Sequence, residues 1–310
     1  MKKVSRALIP AFLLSVAAPL FPSARLGVMT SIFPLREFAA AVAGERADVS
    51  LLLPPGAGVH TWQPRPGDIT RLAGADLLIS VGAGLEPWLA DVVAAVPKGK
   101  LRTLEVSRGL TLLRAEEAEP ARREDEEGRG HEHGALDPHI WLDFEMDRAI
   151  VDKIVEALAA IDPAGAGYFR ANGEACKAKL AGLDTRFRRG LQGCTGKTMV
   201  VAGHAAFGYL ARRYGLVQMA LYGLSPDAQP RPKQMMKVSD FCRRENIRTV
   251  FFETSVAPGL ARALAGEIGG RVLVLYAGHN LTKDQMMKGQ DFFAIMEENL
   301  RTLQEGLGCR

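Results

Sequence analysis

The sequence predicts an α/β protein: two lobes of parallel-sheet βα units bridged by one long helix. Three observations carry that prediction. Short apolar runs bounded by glycine or proline recur along both halves of the chain, and a helical pattern follows most of them. Between the halves, residues 163–192 hold a helical pattern of unusual length, opened by Asp162-Pro163, a cap residue followed by proline at the first helical position. The chain is 310 residues long, 47% hydrophobic and 24% charged, ordinary globular usage with length for two domains of about 100–200 residues each.

In chain order, residues 1–24 read as a secretory signal. Lys2, Lys3 and Arg6 precede an apolar stretch from Ala7 to Phe21, which is short for a membrane span, and small residues at Ala18 and Ala24 suit cleavage. Loss of this segment takes the net charge from +4 to +1, so charge gives no support to a nucleic-acid partner. No cysteine lies near the expected cut, which argues against a lipid anchor. An exported, periplasmic protein is expected.

The first lobe is expected over 25–162. Leu26–Phe33 is a strand candidate, a helical pattern follows Pro34 up to Gly44, and Val49–Leu53 is a second strand. That strand runs into Pro54-Pro55-Gly56-Ala57-Gly58-Val59-His60. Open α/β sheets leave a ligand crevice at the carboxyl ends of their strands, and His60 falls in such a loop. Pro66–Ala73 reads as a helix, 76–82 as a strand, 84–89 as the opening of another helix, and 101–106 as a fourth strand. Residues 114–134 then lose the apolar runs, gain a dense set of acidic residues and end in His131-Glu132-His133; by composition this is a charged loop with a hint of metal affinity. Asp137-Pro138-His139-Ile140-Trp141-Leu142-Asp143 follows, with His139 held between a rigid proline and an apolar run, and Met146–Ile161 shows helical spacing.

Residues 163–192 are expected to link the lobes, although Gly165, Gly167, Gly173, Gly182 and Gly190 argue against an unbroken helix. The second lobe, 193–310, repeats the pattern. Strands are expected at 198–202, 217–222, 249–253 and 272–275, and helices after His204, over 230–246 and over 256–268. His204 follows the first of these strands, Glu253 ends the third, and His279 follows the last. His60, His139, His204 and His279 thus read as strand-end residues, two in each half. Imidazoles converging on one cleft suit Zn²⁺, which takes nitrogen ligands in tetrahedral geometry, and do not suit the all-oxygen ions Ca²⁺ and Mg²⁺. Cys176, Cys194, Cys242 and Cys309 lack a C-x-x-C spacing and read as structural or free; four cysteines allow three full pairings, and the sequence does not choose.

With those residues in view, the mature chain resembles the metal-specific solute-binding proteins of ABC importers, the TroA-like zinc and manganese group. The resemblance rests on Gly58-Val59-His60, on the acidic loop before Asp137-Pro138-His139, on Gly203-His204-Ala205-Ala206-Phe207-Gly208-Tyr209-Leu210, on Gly223-Leu224-Ser225-Pro226-Asp227, and on Phe251-Phe252-Glu253. It implies two α/β lobes bridged by a helix, with metal held between them by His60, His139 and His204. A histidine at the position of His204 implies zinc, where manganese and iron binders of the group usually carry glutamate. The group's last ligand is an aspartate in a Leu-Asp-Pro-Leu-Gly-like turn; here the chain reads Leu275-Tyr276-Ala277-Gly278-His279. The fourth position therefore falls to His279, to Glu253 or to water.

The expected function is extracytoplasmic capture of Zn²⁺ and its delivery to a membrane permease driven by an ATPase, by a monomer that is not an enzyme. Affinity is expected to fall below about pH 6 as the imidazoles take up protons. Alternatives are a manganese- or iron-binding protein of the same fold, and a zinc-dependent hydrolase with Glu253 as its general base, since three ligands plus water is also a catalytic pattern.

Overall fold

The computed structural model describes residues 25–118, 136–224, 232–253 and 258–309. The expected signal segment lies outside them, as do His131 and His133 with most of the charged loop. Two four-stranded sheets occupy the two halves, and every strand pair is parallel. In the first half the chain runs β1 (Leu26–Thr30), α1 (Phe33–Ala43), β2 (Ala47–Leu51), α2 (Pro66–Ala73), β3 (Leu77–Ser80), α3 (Leu89–Ala95) and β4 (Arg102–Glu105), and the sheet order is β2-β1-β3-β4. A short turn, α4 (Ala115–Ala118), opens the segment read as a charged loop. Strand β3 is buried along its whole length, as expected of a parallel strand with helices over both faces.

Helix α5 (Phe144–Ile161) follows, capped by the Asp143 carboxylate, which accepts from the backbone N–H of Glu145. Then comes α6 (Ala166–Gln192), entered through a 3-10 turn at Pro163–Gly165 that the Asp162 side chain caps. Its 27 residues extend about 40 Å. It packs on α1 and α5. Four of the five glycines that argued against a continuous helix lie inside it, and at Gly173 and Gly190 a neighbouring helix closes in. A Cβ at Gly173 would come 2.6 Å from Val155 Cγ2.

The second half repeats the order: β5 (Thr198–Ala202), α7 (Gly208–Tyr214), β6 (Val217–Ala220), α8 (Pro232–Arg244), β7 (Thr249–Glu253), α9 (Pro258–Glu267) and β8 (Arg271–Leu275), arranged β6-β5-β7-β8. Two helices that the sequence reading leaves out close the chain, α10 (Lys283–Met287) and α11 (Phe292–Leu307). Helix α11 buries Phe292, Ile295, Met296, Asn299, Leu300, Leu303 and Leu307. It lies against α6 and β8, and Phe292 at its start meets the ring of Phe38 on α1 at 5.1 Å.

One hydrophobic cluster therefore runs through both halves, from Val28 to Leu307, with a smaller cluster around Val200, Val250 and Leu264 in the second sheet. Of the pairings left open by the sequence, the structure forms Cys194–Cys309; Cys176 and Cys242 are free and buried. Among the described residues no helix is long and apolar enough to cross a membrane.

Candidate metal centre

The two sheets present their carboxyl edges to one cleft, and three of the expected histidines meet there. His60 arrives on the loop after β2. Buried Leu52 and Leu53 hold the start of that loop, and the Trp88 indole Nε1 donates to the Val59 carbonyl at 2.7 Å, directly before the imidazole.

His139 arrives differently from the strand-end placement expected of it. It follows an isolated bridge, Arg114 with Leu136, well beyond β4, and precedes a 3-10 turn at Ile140–Leu142. Its position is set locally instead. The Asp137 carboxylate Oδ1 accepts from the His139 backbone N–H at 2.9 Å and pairs with ring Nδ1 at 2.7 Å, an aspartate turned back onto the residue two places on. From the other half, the Tyr209 hydroxyl accepts from the Leu113 N–H at 2.9 Å and donates to the Asp137 carbonyl at 3.0 Å.

His204 follows β5 as expected. Its Nδ1 lies 3.2 Å from Glu253 Oε2, at the end of neighbouring β7. Gly203 makes that approach feasible, since a Cβ there would sit 2.6 Å from Glu253 Cβ.

With carboxylates on both Nδ1 atoms, the Nε2 atoms of His139 and His204 face each other at 3.1 Å. A tetrahedral ion with bonds of about 2.0–2.1 Å sets its nitrogen ligands about 3.3 Å apart, so the pair already stands near that spacing. The His60 ring lies 5.7 Å from that of His139 and 5.6 Å from that of His204, and His60 Nε2 is buried with no hydrogen-bond partner. One ligand atom from each of the three falls within 4.8 Å of the others.

His279 and Glu253 stand outside that three-atom cluster. Glu253 backs His204 from behind. His279 is buried in the same cleft, its carbonyl accepting from the Phe33 N–H at 2.9 Å, and its charge would be felt by His60, His139 and His204. Tyr276 is elsewhere, its backbone paired with Asn299.

The cleft disfavours protonated imidazoles. Burial, then the neighbouring imidazoles, lowers His60 to about 2; burial, then His204, holds His139 well below the ordinary value; burial lowers His279 to about 4 against the opposite pull of Glu253. Burial pushes Asp137 up to about 7, opposed by the His139 N–H. Neutral imidazole is the form that binds metal. Sequence reasoning leaves out the groups that hold the histidines: Asp137, Tyr209 and Trp88. Only Asp137 carried a local signal, its two-residue spacing from His139.

Comparison with known proteins places the chain in a family. The family model described as "ZnuA: Zinc-uptake complex component A periplasmic" matches residues 28–306. The chain is 31% identical over 309 residues to the zinc-binding lipoprotein AdcA of Streptococcus pneumoniae, covering 98% of this chain and 61% of that protein's length. It is 32% identical over 283 residues to the high-affinity zinc uptake system protein ZnuA of Bacillus subtilis, covering 91% of this chain and 88% of that one. The crystal structure of the Zn(II)-bound ZnuA-like domain of S. pneumoniae AdcA superposes with a TM-score of 0.75 at 29% identity, covering 91% of this chain and 99% of that one. Two parallel-sheet lobes, a long helix across them and a match over nearly the whole described chain lead to one conclusion: the chain belongs to the ZnuA family of periplasmic zinc-uptake components.

Proposed function

We propose that this protein captures Zn²⁺ outside the cytoplasmic membrane and delivers it to the permease and ATPase of an ABC-type importer. Zinc is the cargo. His60, His139 and His204 bind it through Nε2, and His279 closes the fourth position. One observation carries the reading: a buried His60 Nε2 without a partner faces a His139–His204 pair already spaced for a tetrahedral ion. Three imidazoles favour zinc over manganese, which prefers carboxylate and carbonyl oxygens. Asp137 and Glu253, each on the far nitrogen of a ligand imidazole, fix its tautomer and raise its basicity. The same contact occupies the carboxylate that a hydrolase would need as its general base. The zinc-uptake proteins similar to this chain support the cargo and the route.

The test is competitive zinc titration of the mature protein beside its His139→Ala and His279→Ala variants. One zinc per chain, lost in the first variant and weakened in the second, is expected. Wild-type binding in both would place the metal elsewhere and overturn the reading.

A further inference from the structure

The segment after β8 belongs to the second half by sequence and is fastened to the first half by hydrogen bonds. Trp141 Nε1 donates to the Ala277 carbonyl at 2.7 Å and the Phe33 N–H to that of His279 at 2.9 Å. The Gly56 N–H donates to the Leu281 carbonyl at 2.9 Å. Asn280 makes the most specific of these attachments. Its Oδ1 accepts from the Leu281 N–H at 2.8 Å, which leaves Nδ2 to donate to two carbonyls of the His60 loop, Pro54 at 2.8 Å and Ala57 at 2.9 Å. Those two acceptors flank the turn through Gly56, three to six residues before the imidazole.

We propose that Asn280 is a positioning residue for zinc capture: it locks the His60 loop to the strap that carries His279, so that the two histidines are presented together before metal arrives. The proposal rests on the zinc reading above. Four points argue for it. The side chain's hydrogen-bonding atoms are all committed, and an amide alone among side chains of this size both accepts from Leu281 and donates to the two carbonyls. The loop carries Pro54-Pro55 just before the turn, so those two residues have no N–H with which to hold themselves. The other side-chain anchor next to His60, Trp88, comes from the first half and grips the loop one residue before the imidazole. Asn280 therefore supplies the side-chain part of the registration across the cleft, beside the Gly56–Leu281 backbone bond. A ligand loop held in its bound position loses less freedom when metal binds, which raises affinity without adding a bond to the metal.

The experiment uses Asn280→Ala and Asn280→Asp, the second of which keeps the shape and removes both donors, in the wild-type and His60→Ala backgrounds. Zinc affinity is read by competition and loop order by amide hydrogen exchange of residues 54–63 in the metal-free protein. Each Asn280 variant is expected to weaken zinc by about 10–100-fold, the range for groups that orient a metal ligand. In the His60→Ala background the same changes are expected to have little further effect, because there is no longer an imidazole to position. Exchange across 54–63 should quicken in Asn280→Asp while exchange in α5 and α6 stays as it was. Wild-type affinity with unchanged loop exchange, or a penalty that adds in full to that of His60→Ala, overturns the proposal. If His60→Ala alone binds zinc as the wild type does, the zinc reading fails at His60; if His60→Ala is weakened and the Asn280 variants are not, only the positioning role fails.

Discussion

The His139 and His204 imidazoles are each aimed by a carboxylate on Nδ1. For His139 that group is Asp137, and Asp137→Asn keeps its size while removing the charge that selects the Nδ1–H tautomer. Zinc affinity should fall about 10–100-fold, measured by competition titration; an unchanged value would show that Asp137 serves only the fold. The depressed imidazoles also make a pH prediction. Above the ordinary histidine value of 6.5, His60 and His279 are neutral folded or unfolded and contribute no pH dependence. Below it the unfolded chain takes protons that the folded cleft refuses, so stability falls as pH drops, through about 4 for His279 and on to about 2 for His60. Asp137 runs the other way, its contribution present below 3.8 and lost as pH rises through about 7. The melting temperature of the metal-free His279→Ala variant should therefore drop less between pH 6.5 and 4 than that of the wild type. By the same cause, zinc binding should persist below the pH of about 6 expected for free imidazoles. At this scale the sequence is legible wherever partners are near: Asp137 stands two residues from His139, while Glu253 meets His204 across a separation of 49. Only the fold brings that second pair together.

Elements were legible where a period and its end signals coincide. Pro66–Ala73, Thr198–Ala202 and Thr249–Glu253 stand at their expected bounds, each an apolar period closed by glycine, proline or charge. The composition of α6 misleads, because a glycine looks alike whether it breaks a helix or lets another helix close in. That ambiguity is testable. Gly182→Ala meets only the far end of the Arg186 side chain, 3.3 Å away, and should stabilise by up to about 1 kcal/mol, the helix-propensity gain. Gly173→Ala drives a methyl into Val155, whose β-branched side chain is stiff in a helix, and overpacking of about 1–3 kcal/mol should exceed the same gain. Opposite shifts in urea midpoint check both; a stabilised Gly173→Ala would mean that α5 and α6 separate easily. Helix α11 has an apolar period too, at Phe292, Ile295, Met296, Leu300, Leu303 and Leu307. Its destination against α1, α6 and β8 could not be read, since the period reports that a face is covered and not by what.

Across the whole molecule, two lobes share one apolar cluster and one bridging helix, which together fix where the two halves of the cleft meet. The Cys194–Cys309 link closes a loop with a sequence separation of 115, and removing it by Cys194→Ser should cost about 5 kcal/mol in the chain-entropy account, read as a lower urea midpoint. The link has a further consequence for how the chain comes apart. A protease that cuts once anywhere between the two cysteines leaves both fragments tied by sulfur, so a nicked chain runs as one band on a gel without reductant and as two with it. A single cut before Cys194 releases a piece under either condition. The band pattern thus locates the scission relative to the second lobe before any fragment is sequenced.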